Sequence, residues 1–204
     1  MSNCSKLINN QNMARCGQFN PGIEPDLILI DLRDIESRTV VDGVLTGLTL
    51  KEDCYAVRYQ GRRNAYDATF QMQKGSFNNS FLHSITCRTH VRSQAVKCHM
   101  NRLPFSRVLV VVRNKDSHDM TMKYEVYGYE NGLRMSEIDY TGNADEGWLA
   151  SFMLSSTEDA YESAMPVTFY NTDPETTFLL LLALTQLEWF TLGISTLGSN
   201  MKIG

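Results

Sequence analysis

Residues 107–113, RVLVVVR, constrain the fold more than any other stretch of this 204-residue chain. Four valines and a leucine follow one another between two arginines. A strand built from them has no face for water, so they predict a central strand buried on both sides. Its expected partner is the segment 123–137, KYEVYGYENGLRMSE. Tyr124, Val126 and Tyr129 favour a strand, Asn131-Gly132 tolerates the positive φ of a type I′ turn, and 133–137 resumes an extended pattern. The expectation is a β-hairpin at the centre of a sheet, with 107–113 and 148–155, WLASFMLS, as its neighbours.

Alternation or short apolar runs predict further strands at 27–32 (LILIDL), 44–51 (VLTGLTLK), 55–59, 65–74, 81–88 (FLHSITCR) and 166–170. The polar stretch 33–38 is read as a connector, Asp42-Gly43 as a turn and Gly47 as a bulge. In mid-chain only 93–101 changes to helical spacing, through Val91, Ala95, Cys98 and Arg102 and through Val96, Met100 and Leu103; Pro104 ends it. A second helix is expected over 176–189, with Thr172 or Asp173 as N-cap, Pro174 at its first position and Glu175 in its first turn. It is apolar nearly all round, from Phe178 and Leu179 to Leu187 and Trp189, so other elements or another subunit must cover part of it.

The length fits one core. The domain reading is a flexible N-terminal arm at 1–20, a single β-rich domain at 21–189 and an extended tail at 190–204. The expected fold class is mainly β (α+β), an antiparallel β-sandwich or barrel with one mid-chain helix and an apolar C-terminal helix. A formal net charge of −4 argues against a broad basic surface that grips nucleic acid. Five cysteines, odd in number and without a CxxC pair, point to reduced, buried thiols rather than to disulfides or zinc. The polar N-terminus has no apolar signal region, and the run 178–184 is too short to span a bilayer, so folding in a cytoplasm without membrane insertion is expected.

Reactive constellations are sparse. His90 and His99 lack a metal-ligand spacing, and Asp139, Asp145 and Glu146 lack a calcium-loop pattern, so no metal and no cofactor is expected. Cys98 and His99 are neighbours that a helix points about 100° apart, which favours a buried structural thiol over a nucleophile. No HExxH, GxSxG or Walker A pattern occurs. Basic residues from Arg58 to Lys97 interleave with Tyr55, Tyr59, Tyr66 and Phe70; a subunit interface or solvated surface suits them better than a nucleic-acid face. The candidate interface residues are Arg62, Arg63, Tyr127, Tyr129, Leu181, Trp189 and Phe190.

The order of motifs resembles that of phage tail-tube-like virion structural proteins, particularly of phages of gut Bacteroidota. The pieces that carry the resemblance are GIEPDLILIDLRDI, DGVLTGLTLKEDCYAVRY, SRVLVVVRNKDS after the middle helix, YEVYGYENGLRMSE, WLASFMLSS and MPVTFYNTDPETT, which together span residues 22–177. The resemblance implies a non-enzymatic subunit of a ring or tube, hexameric or higher, whose sheets join across copies around a lumen that conducts DNA. It further implies other virion proteins as partners, loops such as 61–64 and 117–120 at ring-to-ring contacts, no small-molecule substrate, and residence in the virion after assembly in the host bacterial cytoplasm. The apolar C-terminal helix and tail depart from a simple tube subunit and leave open a neck ring or a head-associated or capsid auxiliary protein. A monomeric β-sandwich binding module and a hydrolase with scattered carboxylates are the readings from other classes.

Overall fold

The valine-rich run folds as β7 (Val108–Asn114) and takes the middle of a five-stranded antiparallel sheet. The computed structural model describes residues 22–74, 79–89, 91, 93–115, 120–140 and 150–185. In it the sheet runs β11 (Val167–Thr168), β8 (Tyr124–Tyr127), β7, β1 (Ile23–Asp31), β4 (Val57–Gln60). The two-residue period of a strand divides its side chains between two cores. Val108, Val110 and Val112 join Leu27 and Leu29 of β1 on one side, while Leu109 and Val111 join Ile28 and Ile30 on the other. Burying the five apolar residues of β7 contributes on the order of 10 kcal/mol before chain entropy is subtracted.

The first core is closed by a four-stranded antiparallel sheet, in the order β5 (Tyr66–Lys74), β6 (Asn79–Thr89), β10 (Ala150–Ser155), β9 (Arg134–Asp139). Ile85, Cys87, Phe152 and Leu154 line it, and α1 (Gln94–Met100) with the adjoining turn at Leu103–Phe105 adds Met100 and Leu103. The second core is covered by the hairpin of β2 (Ile35–Val41) and β3 (Val44–Leu50) and by α2 (Pro174–Ala183), which bring in Leu45, Leu181 and their neighbour Phe169. The fold is mainly β with antiparallel sheets and a mid-chain helix, in the α+β class.

The segment 123–137 is not a hairpin. β8 belongs to the five-stranded sheet and β9 to the four-stranded one, so the chain between them crosses from one sheet to the other. A type I′ turn needs positive φ at both central residues. Here the positive values fall on Gly128 (68°) and Gly132 (74°), with Asn131 outside that region. Leu133 exchanges backbone hydrogen bonds with Val108 and is buried between the sheets, so packing overrides the local turn preference. Both expected neighbours are right but split: β7 pairs with β8, and β10 pairs with β9. Neither half takes the middle of its sheet: β9 is an edge, and β8 lies between β7 and the two-residue β11.

The type I′ turn lies instead at Asp42-Gly43, with φ of 50° and 84° between the paired Val41 and Val44. It makes the stretch read as a connector into β2, a mostly exposed strand whose polar residues hid it. A register shift beside Gly47, between Thr39 and Val40, matches the expected bulge. In α2, Asp173 caps the helix by accepting the Thr176 N–H at 2.8 Å, and Pro174 stands at the start as expected. The helix ends at Ala183 rather than 189, because Thr185 turns into a parallel bridge with Ala56. Residues 186–189 of the expected helix, the arm at 1–20 and the tail at 190–204 lie outside the described residues.

Candidate assembly surface

The four-stranded sheet buries one face and leaves the other to solvent. Cross-strand register builds that outer face in rows: Asp67, Thr86, Met153 and Glu137 in one, Arg88, Ser151 and Asp139 in the next, and Thr69, Ser84, Ser155 and Arg134 in a third. Thr, Ser and Gln predominate on β5 and β6, as alternation required of a strand wet on one side. Asp67 pairs with Arg88 at 2.6 Å. A shallow depression of about 380 Å³ lies between β6, β10 and β9, and its lining holds the carboxylates of Glu137 and Asp139 with no basic residue. These two carboxylates stand two residues apart on one exposed edge strand. They do not face each other across an enclosed cleft, which the hydrolase reading needs.

Both edges of this sheet are open among the described residues. β5 presents nine residues and β9 six, and no described strand pairs with the outer side of either. On β5 the Arg88 N–H donates to the Ala65 carbonyl, so odd-numbered residues point their backbone groups at β6. The N–H and C=O of Ala68, Phe70 and Met72 therefore face the free edge. Phe70 and Met72 also expose their side chains, Met72 at 61%.

Two buried polar residues fix the crossing segment to this sheet. Glu162 is 2% exposed, and its carboxylate accepts the Glu130 N–H at 2.7 Å and the Asn131 N–H at 3.0 Å. Burial raises its pKa, the backbone donors oppose that, and the Glu130 carboxylate adds to the rise. The Asn131 side chain donates to the Tyr161 carbonyl at 2.7 Å. His83 on β6 accepts the Gly128 N–H at Nδ1, 3.2 Å, and donates from Nε2 to the Ala164 carbonyl at 3.1 Å, packed edge-on against Phe70 and Tyr127. Burial lowers its pKa to about 4, so the ring is neutral. Tyr59 on β4 hydrogen-bonds His99 on α1 and ties the helix over the first core; burial raises the phenol pKa and lowers that of the imidazole.

The expected interface residues divide. Arg62 and Arg63 are exposed in the β4–β5 turn. Tyr129 is half-buried beneath the Arg38 guanidinium, 4.7 Å from its ring centre. Tyr127 and Leu181 are corrections: Tyr127 packs in the first core and Leu181, 1% exposed, in the second, so neither is available to a partner. On α2 it is Leu179, at 64%, and Leu180 that face outward. Trp189 and Phe190 lie outside the described residues, as do His90, Asp145 and Glu146. Cys98 is exposed rather than buried, whereas Cys87 is buried as expected. The period-two pattern already placed His83 beside Ile85 and Cys87 on the apolar face; nothing in the sequence marked Glu162.

No protein-family model matches this chain, and no similar curated protein or solved structure was found. Among the described residues no three His, Cys, Asp or Glu side chains converge as a metal site, and no helix is long and apolar enough to cross a membrane.

Proposed function

We propose that the chain is a non-enzymatic virion structural protein, a ring or tube subunit that conducts DNA at the tail tube or neck. The observation that carries this reading is the four-stranded sheet, which among the described residues has two open edges and an uncovered polar face. Copies related by a rotation can add β5 of one to β9 of the next, a head-to-tail join that closes into a ring. The joined sheets then form a barrel lined by the outer face, with strand number and tilt setting its width. A lining of Thr, Ser, Gln and carboxylates, in which Arg88 is paired with Asp67 and Arg134 stands at one end, offers the phosphate backbone few counterion-releasing cations, so DNA slides rather than sticks. On this reading the exposed turn with Arg62 and Arg63 contacts the next ring or another virion protein, and the protein resides in the virion after assembly in the host bacterial cytoplasm.

Met72→Pro tests the join. Proline at an edge position whose N–H faces outward leaves the β5–β6 ladder intact but removes a donor from the free edge. Mass photometry should show rings for the wild type and monomers for the variant, with unchanged circular dichroism. Rings of equal abundance in both proteins would remove β5 from the join. The depression at Glu137 and Asp139 favours one second reading, a monomeric β-sandwich that binds a ligand on that face.

A further inference from the structure

The inner face of the four-stranded sheet lines the first core, yet at both margins large apolar side chains on that face stay exposed among the described residues. On β9, Ile138 lies opposite the buried Phe152, so it points to the core side, and it is 49% exposed. On β5, Phe70 lies opposite the buried His83 and shares that side with Met72; Phe70 is 43% exposed. The turn Leu103–Phe105 packs against β9, with Leu103 in the core and Phe105 83% exposed. Val108 bridges Leu133 just downstream, which places this turn at the Arg134 end of β9.

The backbones of the two margins match. The Ser156 N–H donates to the His83 carbonyl at 2.9 Å, so β10 turns its even-numbered residues towards β6 and its odd-numbered ones towards β9. Glu137 and Asp139, opposite Met153 and Ser151, therefore bond to β10, and the N–H and C=O of Ile138 face the free edge. On β5 the free edge offers those of Ala68, Phe70 and Met72. On both edges the residues with free backbone groups are the ones whose side chains point to the core, the condition for two sheets to join without exchanging faces. Three successive antiparallel pairings also make β5 and β9 run in opposite directions, so copies side by side in a ring pair them antiparallel.

We propose that Phe105 and Ile138 form an apolar shelf that receives Phe70 and Met72 of a second copy of this chain, with Phe70 opposite Ile138 and Met72 against Phe105. The shelf rests on the β5–β9 join proposed above and adds the side chains that set its register. Setting Ala68 opposite Ile138 instead puts Asp67 against Asp139, a like-charge pair. Setting Met72 opposite Ile138 runs the Arg134 end of β9 past Lys74, the last residue of β5. Phe70 opposite Ile138 keeps all of β9 within β5, faces Asp139 with Thr69 and Glu137 with Gln71, and carries Met72 towards the end of β9 where the Phe105 turn sits. The first core then continues from one copy into the next.

Mass photometry of the full-length protein over a concentration series tests it, with Phe105→Asp, Met72→Lys and the double variant. Both side chains are exposed in the single copy, so each replacement should leave circular dichroism and melting temperature unchanged. Each single variant should raise the concentration at which rings half-dissociate by about tenfold or more. The double variant should recover most of that loss, because the two new charges stand on opposite edges of one copy and meet only across the seam. Phe105→Asp rings as stable as the wild type would overturn the shelf and leave the join standing. A double variant weaker than either single one would overturn the pairing of Met72 with Phe105. Wild-type monomers at every concentration would overturn the join and the shelf together.

Discussion

Replacing His83 by glutamine tests how the crossing segment between the sheets is held. His83 is 1% exposed, and its two hydrogen bonds, from the Gly128 N–H and to the Ala164 carbonyl, require the neutral ring. Burial lowers its pKa from 6.5 to about 4, outweighing the Ala164 carbonyl and the Glu130 carboxylate, which both act to raise it. A base with a depressed folded pKa contributes stability that is present above its unfolded value and lost as pH falls through the folded one. Between pH 7 and pH 4 the two values correspond to about 3 kcal/mol of lost stability. Glutamine keeps a donor and an acceptor but does not titrate, so His83→Gln should cost less than about 2 kcal/mol at pH 7. Urea denaturation at both pH values should show the wild type losing about 3 kcal/mol more than the variant over the interval. Glu162 contributes in the opposite direction: its raised carboxyl favours the fold below its unfolded value, and that favour is lost as pH rises through the folded one. That trend is common to both proteins and cancels in the comparison. Equal pH dependence in wild type and variant would refute the buried, neutral histidine.

Leu181→Ala should lower fold stability by about 2–5 kcal/mol, because Leu181 fills the second core rather than an interface; a loss of rings at unchanged melting temperature would reverse that assignment. Cysteine labelling should separate the thiols: Cys98 is exposed and should react with maleimide in the native protein, whereas Cys87, buried with its thiol pKa pushed up, should react only on unfolding. Site mapping by mass spectrometry reads both, and native labelling of Cys87 would contradict the packing of the first core.

The strands were legible wherever one face or both had to be apolar. RVLVVVR gave a central strand and FLHSITCR a half-wet one, because burial imposes a period on the residues themselves. The N-cap of α2 was equally legible, since Asp173 and Pro174 act locally. The crossing at 128–132 was not. Asn131-Gly132 carries a hairpin preference, but Glu162, about thirty residues downstream, accepts the N–H groups of Glu130 and Asn131 and fixes a different path. β2 is not legible because IESRTVV is mostly exposed, so no buried face imprints alternation. The apolar character of α2 suggests a partner at Leu181, yet the sheet beneath satisfies that residue, and it is Leu179 and Leu180 that remain outside. That β5 and β9 have open edges among the described residues is a property of topology, which no local pattern of residues records.

The most direct measurement is a cryo-electron microscopy reconstruction of the purified wild-type protein at high concentration. Closed rings are expected, in which β5 of one copy pairs with β9 of the next and Thr69, Thr86 and Glu137 face the lumen. Monomers alone at high concentration, or rings joined through other surfaces with this face turned outward, would contradict this expectation.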